Sequence, residues 1–159
     1  MNQRQRGVYT VEFAVVGVVF FMVLFGVIEI ARALFVWNTI TEATRRGARV
    51  AAVCPPNHGA IAEIAVLNNP GGGSASSVIN GLTTGNVTVE YLDADGAAGA
   101  IGAEIAYVRV TITGYQHNLI IPFLPASATT LTVPPFSTTV PAESLGYIPD
   151  ITDFQCFGI

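Results

Sequence analysis

Few residues in this chain could do chemistry, and the one least expected where it stands is Glu12. It lies inside the run Val8–Ile28, VYTVEFAVVGVVFFMVLFGVI, in which every other residue is uncharged. An ionised carboxylate deep in lipid costs about 2.5–3.5 kcal/mol even on the lenient insertion scale, so a helix serving only as an anchor would rarely keep one. The remaining candidates do not assemble. His58 and His117 have no metal-ligand spacing with Cys54 or Cys156. Gly71–Gly73 lacks the lysine and helix that make a phosphate loop. Asp93-Ala94-Asp95-Gly96 has no acid at the twelfth position of a calcium loop and reads as a hairpin turn. Asn86-Val87-Thr88 matches a glycosylation triplet, a pattern too short to carry weight. No Ser-His-Asp or Cys-His set can be built. The expectation is a protein with no catalytic residues, no metal or other cofactor and no small-molecule substrate. The net charge of −4 and the absence of lysine leave no electrostatic footprint for nucleic acid.

The element that must position Glu12 is a helix. The 21 residues from Val8 to Ile28 rise about 31 Å, the hydrocarbon thickness of a bilayer. They are apolar on every face, which one helix of a soluble core does not need. Arg4 and Arg6 precede the run and place residues 1–7 on the cytoplasmic side, although Arg32–Arg49 on the other flank weaken that rule. Glu29-Ile30-Ala31-Arg32-Ala33 is a poor signal-peptidase site, so the apolar segment is expected to be retained. No proline interrupts the chain from Glu29 to Ala52, and Cys54-Pro55-Pro56 ends the helix. The rod from Val8 to about Val53 would be about 70 Å long. Ile30, Leu34, Trp37, Thr41, Ala48 and Ala52 are expected along one face of its outer half. Glu29 with Arg32, and Glu42 with Arg45 and Arg46, have the spacing of helix-surface ion pairs.

Beyond the helix the pattern changes to a small mixed domain, residues 55–159. A short helix is expected within Asn57–Asn69, with Ile61, Ile64, Ala65 and Leu67 on its apolar side, followed by a loop through Gly71–Gly73. Val87–Leu92 and Ile105–Tyr115 alternate as strands, with Val108, Val110 and Ile112 facing one way. His117–Leu124 is apolar, and Thr130–Val133 with Pro135–Val140 form a final strand pair or one broken strand. The expected fold class is α+β: a long N-terminal transmembrane helix packed on a small antiparallel sheet. Cys54 and Cys156 stand at opposite ends of this domain. They suggest one disulfide in an oxidising compartment, with two buried thiols as the other reading.

The residues around Glu12 carry a specific resemblance. Arg6-Gly7-Val8-Tyr9-Thr10-Val11-Glu12-Phe13 resembles the processing site of type IV prepilins, where a peptidase cuts after glycine and a glutamate is fifth in the mature chain. The continuation through Gly26, Glu29 and Arg32, and then Thr44-Arg45-Arg46-Gly47-Ala48-Arg49, is similar to the TadE-like family of minor pilins or pseudopilins of tight-adherence systems. The likeness runs over roughly residues 6–52; Val108–Tyr115, the segment to Pro125 and Glu143 fit the family layout more loosely, and the tail after Gly146 does not match. The resemblance implies a leader of residues 1–7 cut between Gly7 and Val8, a helix of residues 8–54 (8–28 transmembrane, 29–53 amphipathic), and assembly contacts by Val8, Glu12 and Phe13. It implies a protein of the bacterial inner membrane, single-pass with its C-terminal domain outside the cytoplasm. Its partners would be other pilin subunits, the pilus assembly platform and the prepilin peptidase. Cleavage would free an amine on Val8 one helical turn from Glu12, and an amine and a carboxylate paired in lipid offset each other's desolvation. The competing readings are a Glu12 that snorkels to the cytoplasmic boundary, and an unprocessed single-pass anchor displaying an extracytoplasmic binding domain.

Overall fold

The structure, a computed structural model, describes residues 3–120, 129–147 and 156, with side chains from residue 8 onward. One helix dominates it. Helix α1 runs without a break from Gln3 to Val53, 51 residues. A seven-residue helix α2, Gly59–Ala65, follows, its first turn opened by the His58 side chain, whose Nδ1 accepts from the Ala60 amide. Among the described residues five strands follow: β1 Val87–Leu92, β2 Tyr107–Ile112, β3 Gln116–Asn118, β4 Thr130–Thr132 and β5 Phe136–Pro141. Strands β1, β2 and β5 form an antiparallel sheet in that spatial order, with Glu90 opposite Arg109 and Val110 opposite Thr138. The α+β layout expected from the sequence, a long apolar N-terminal helix on a small antiparallel sheet, is present.

The outer half of α1 is the spine on which this sheet lies. Its buried stripe is Val36 (half-buried), Ile40, Ala43, Thr44, Gly47, Ala48, Ala51 and Ala52, so the contact is made chiefly by small side chains. Val108, Val110 and Ile112 of β2 are fully buried against it, as the alternation of that strand requires. Gly47 sets the closest approach: a Cβ there would lie 2.6 Å from the Ala65 Cβ and 3.3 Å from Val110 Cγ1. A second core lies further down the helix, where Ile40 and Ala43 meet Val66, Ile79, Leu82, Ile112 and Tyr115.

Several expectations are corrected here. Ile30 and Leu34 do not face the domain; they are 63% and 57% exposed, and Trp37 only leans the edge of its ring on Phe136. Ala48 and Ala52 of the expected face are buried; the sheet selects the face that lets backbones approach, so Ala43, Gly47 and Ala51 join them in place of Ile30 and Leu34. Glu42 makes no ion pair with Arg45 or Arg46 among the described residues, and all three are exposed. The two late strands do not pair with each other: β4 pairs with β3 in a separate two-stranded sheet, while β5 returns to the edge of β2. Pro134-Pro135 between them removes the amide donors that a tight hairpin would use. The expected strand Ile105–Tyr115 is shorter, ending at Ile112, because Gly114 turns the chain with φ of +70°. The apolar segment after His117 lies partly outside the described residues.

The C-terminal end of α1 is closed by the returning chain. Its last carbonyls have no intrahelical donor. The amides of Glu143 and Leu145 donate to Ala52, and that of Gly146 donates to Val53. Gly146 adopts φ of +80°, and a Cβ there would meet the Pro55 ring at 2.5 Å, so glycine is required twice over. Cys54, one residue beyond the helix, is joined to Cys156 with Cα atoms 5.0 Å apart, and both residues are buried.

Two stability measurements follow. Gly47→Ala gains about 1 kcal/mol of helix propensity, yet overpacking against the Ala65 backbone costs about 1–3 kcal/mol. The net result is a loss of stability, read by denaturant unfolding of the full chain in detergent. Removing the bridge by Cys54→Ser with Cys156→Ser opens a sequence separation of 102 residues; it lowers stability by up to about 4–5 kcal/mol, read by the same unfolding assay.

Candidate functional site

The first part of the site is a helix that the fold leaves bare. Among the described residues α1 is the one helix long and apolar enough to cross a membrane, and only 6% of its most apolar window is buried within the molecule. Phe13 is 80% exposed, and Val8, Tyr9 and Val11 are similarly open. Glu12 is exposed and has no hydrogen bond or ion pair among the described residues. The helix carries straight through the Gly7–Val8 junction, which places Val8 and Glu12 four residues apart on one face. Gly17 and Gly26 have nothing within 4 Å of where a Cβ would stand. The N-terminal residues read from the sequence as a unit therefore do share one exposed helical segment; Cys54 and Cys156 lie at the far end of the molecule.

The second part was not anticipated. Glu29, in the turn that follows the apolar run, is only 6% exposed. Its carboxylate receives three donors. Arg32 donates to Oε1 at 2.7 Å, His117 Nε2 lies 3.2 Å from the same oxygen, and the Ile120 amide donates to Oε2 at 3.0 Å. An ionised carboxylate only accepts, so His117 carries its proton on Nε2 in this arrangement. Burial alone would push the Glu29 carboxyl up; the Ile120 amide, the Arg32 charge and His117 outweigh it and hold the group below its ordinary value. His117 is itself 2% exposed, so the pair ties β3 and its partner β4 to the helix at the end of the domain nearest the apolar run. The sequence showed the Glu29–Arg32 spacing but put it on a solvated surface. It offered no signal for His117, 88 residues away, whose partner is a carboxylate and not a metal. Among the described residues no group of three His, Cys, Asp or Glu side chains could hold a metal ion.

A bare apolar N-terminal helix leading into a small α+β domain is the layout of a membrane-anchored protein. Residues 7–49 match the family model of the TadE-like proteins, in agreement with the resemblance read from the motif around Glu12. The match covers the apolar half of α1 and most of its outer half, including Glu29 and Arg32. No curated protein and no solved structure matches the chain. The TadE-like family is a family of pilus components, and the likeness to it lies within α1.

The Glu29 contacts make a pH prediction. A group held below its ordinary value contributes stability that is present above the unfolded carboxylate range and lost as pH falls through the folded one. Acidification should therefore release the β3–β4 pair, seen as loss of hydrogen-exchange protection at the Ile120 amide. Glu29→Ala, which leaves His117 and that amide without their acceptor, should destabilise this region by about 1–3 kcal/mol at neutral pH; unchanged protection would refute the clamp.

Proposed function

We propose that this protein is a minor pilin or pseudopilin that takes part in assembling a tight-adherence pilus, as a priming, tip or joining subunit, through packing of its N-terminal helix with those of other subunits. The observation that carries the reading is an exposed carboxylate, Glu12, on a helix whose apolar half has no partner in its own chain. In this reading a prepilin peptidase cuts between Gly7 and Val8. The new Val8 amine then meets the Glu12 carboxylate, its own or that of the neighbouring subunit. In lipid either charge alone is costly, while the pair is tolerated, so the pairing selects one axial stagger between helices. Phe13, the most exposed large side chain of the segment, would pack in the neighbouring groove.

The orientation follows from the same helix. The Cys54–Cys156 bond needs an oxidising compartment, which supports a domain lying outside the cytoplasm. Residues 1–7 with Arg4 and Arg6 would then face the cytoplasm, where the peptidase acts and the assembly platform gathers subunits in the inner membrane.

Glu12→Ala tests this reading. The variant is expected to insert in the membrane and form its disulfide as the parent does, yet to be absent from sheared pili by immunoblot. Incorporation at the parent level would remove Glu12 from the mechanism and leave the simpler reading of an anchored display domain.

A further inference from the structure

Two cavities meet at Arg32, and together they have the chemistry of a phospholipid. The upper one, about 230 Å³, is of mixed character: Arg32, Asn80, His117 and Asn118 supply polar groups, and aromatic and aliphatic side chains such as Tyr115 and Val78 supply the rest. The lower one, about 120 Å³, is lined by Phe25, Ile28 and Ile120, with Glu29 and Arg32 at its polar end. Neither is closed by the chain's own apolar span, which leaves the domain at this level.

Position decides what these cavities face. With Val8–Ile28 in the hydrocarbon, Arg32 stands four residues past the last apolar turn, about 6 Å along the axis. The headgroup layer on each side of a bilayer is of the same thickness, about 5–7 Å. The Arg32 side chain is 38% exposed, and of its five N–H donors only one, on the nitrogen facing Glu29, has a partner among the described residues. Glu29 fixes the guanidinium without neutralising its capacity to donate, because the carboxylate is shared with His117 and the Ile120 amide. A planar guanidinium with free donors is the side chain suited to a phosphate. Below it Ile28 and Phe25 continue the surface of the span, so a phosphate held by Arg32 would send its acyl chain into the lower cavity and along the helix.

We propose that this cleft binds one anionic phospholipid of the extracytoplasmic leaflet, its phosphate on Arg32 and the first methylenes of an acyl chain against Phe25, Ile28 and Ile120. The proposal rests on the membrane-spanning placement of Val8–Ile28 and not on the pilus role. The lipid would seat the domain at a set height on the bilayer, with the β3–β4 pair resting on its headgroup.

The test uses the full chain purified in detergent and mixed with phosphatidylglycerol or phosphatidylcholine, with bound lipid counted by native mass spectrometry. One phosphatidylglycerol per chain is expected, retained at least tenfold better than phosphatidylcholine. Arg32→Gln should lower that retention at least tenfold, and Asn118→Asp, which adds a like charge at the cavity without touching Glu29, should do the same if the first variant folds poorly. Arg45→Gln with Arg46→Gln, at exposed arginines away from the cleft, should change nothing. Equal retention by Arg32→Gln and Asn118→Asp, or equal loss in the Arg45 and Arg46 control, would each overturn the proposal. Alkaline extraction of membranes from the same cells keeps the two readings apart: loss of lipid with the chain still membrane-embedded strikes the cleft alone, whereas extraction of the chain strikes the spanning helix.

Discussion

A single constraint governs this molecule: its helix is much longer than the domain that can cover it. The small sheet and α2 bury one stripe of the outer half, and nothing in the described chain covers the apolar half. Apolar surface of that extent is not left in water. The first 21 residues of the run must therefore be taken up by lipid or by other helices, and the two halves of one continuous helix end up in different solvents. Everything else in the fold is arranged around that division. The outer half uses alanine and glycine so that a sheet can lie close to it, and the inner half uses valine, phenylalanine and leucine, which need only an apolar surrounding.

Where the two halves meet stands Glu29, the one deeply buried carboxylate among the described residues. Glu29 would be costly at such a boundary without compensation, and it is compensated three times, by Arg32, His117 and the Ile120 amide. The effect is to bind the β3–β4 pair to the helix at the level where solvent gives way to lipid. Glu12 contrasts with it. It is an acid of the same type on the same helix, but exposed and without a partner among the described residues. One carboxylate is satisfied within the chain, and the other has no such partner among the described residues. The Cys54–Cys156 bond and the amides of Glu143, Leu145 and Gly146 secure the opposite end of the helix, so the domain is fastened at both ends of its spine.

Much of this architecture was legible from the residues. The rod, its end at Cys54-Pro55-Pro56, the β2 alternation of Val108, Val110 and Ile112, and the Asp93 turn all follow from local chemistry and are present. What was not legible depended on distance along the chain. Helical spacing alone put Ile30, Leu34, Trp37, Thr41, Ala48 and Ala52 on one face; Ala48 and Ala52 are buried, while close backbone approach turns Ala43, Gly47 and Ala51 inward and leaves Ile30 and Leu34 exposed. The Glu29–Arg32 spacing was visible, but its burial was decided by His117 and Ile120, about ninety residues later, and no periodicity reports such a contact. The motif around Glu12 was read from sequence alone and matches a family model over residues 7–49, where the local pattern is dense.

We propose that proteolysis readies this helix for assembly by creating the amine that pairs with Glu12. The most direct measurement is the intact mass of the native protein recovered from membranes and from sheared pili. A chain beginning at Val8, shorter than the full sequence by residues 1–7, is the expected result. A functional, pilus-associated protein that still carries Met1 through Gly7 would contradict it.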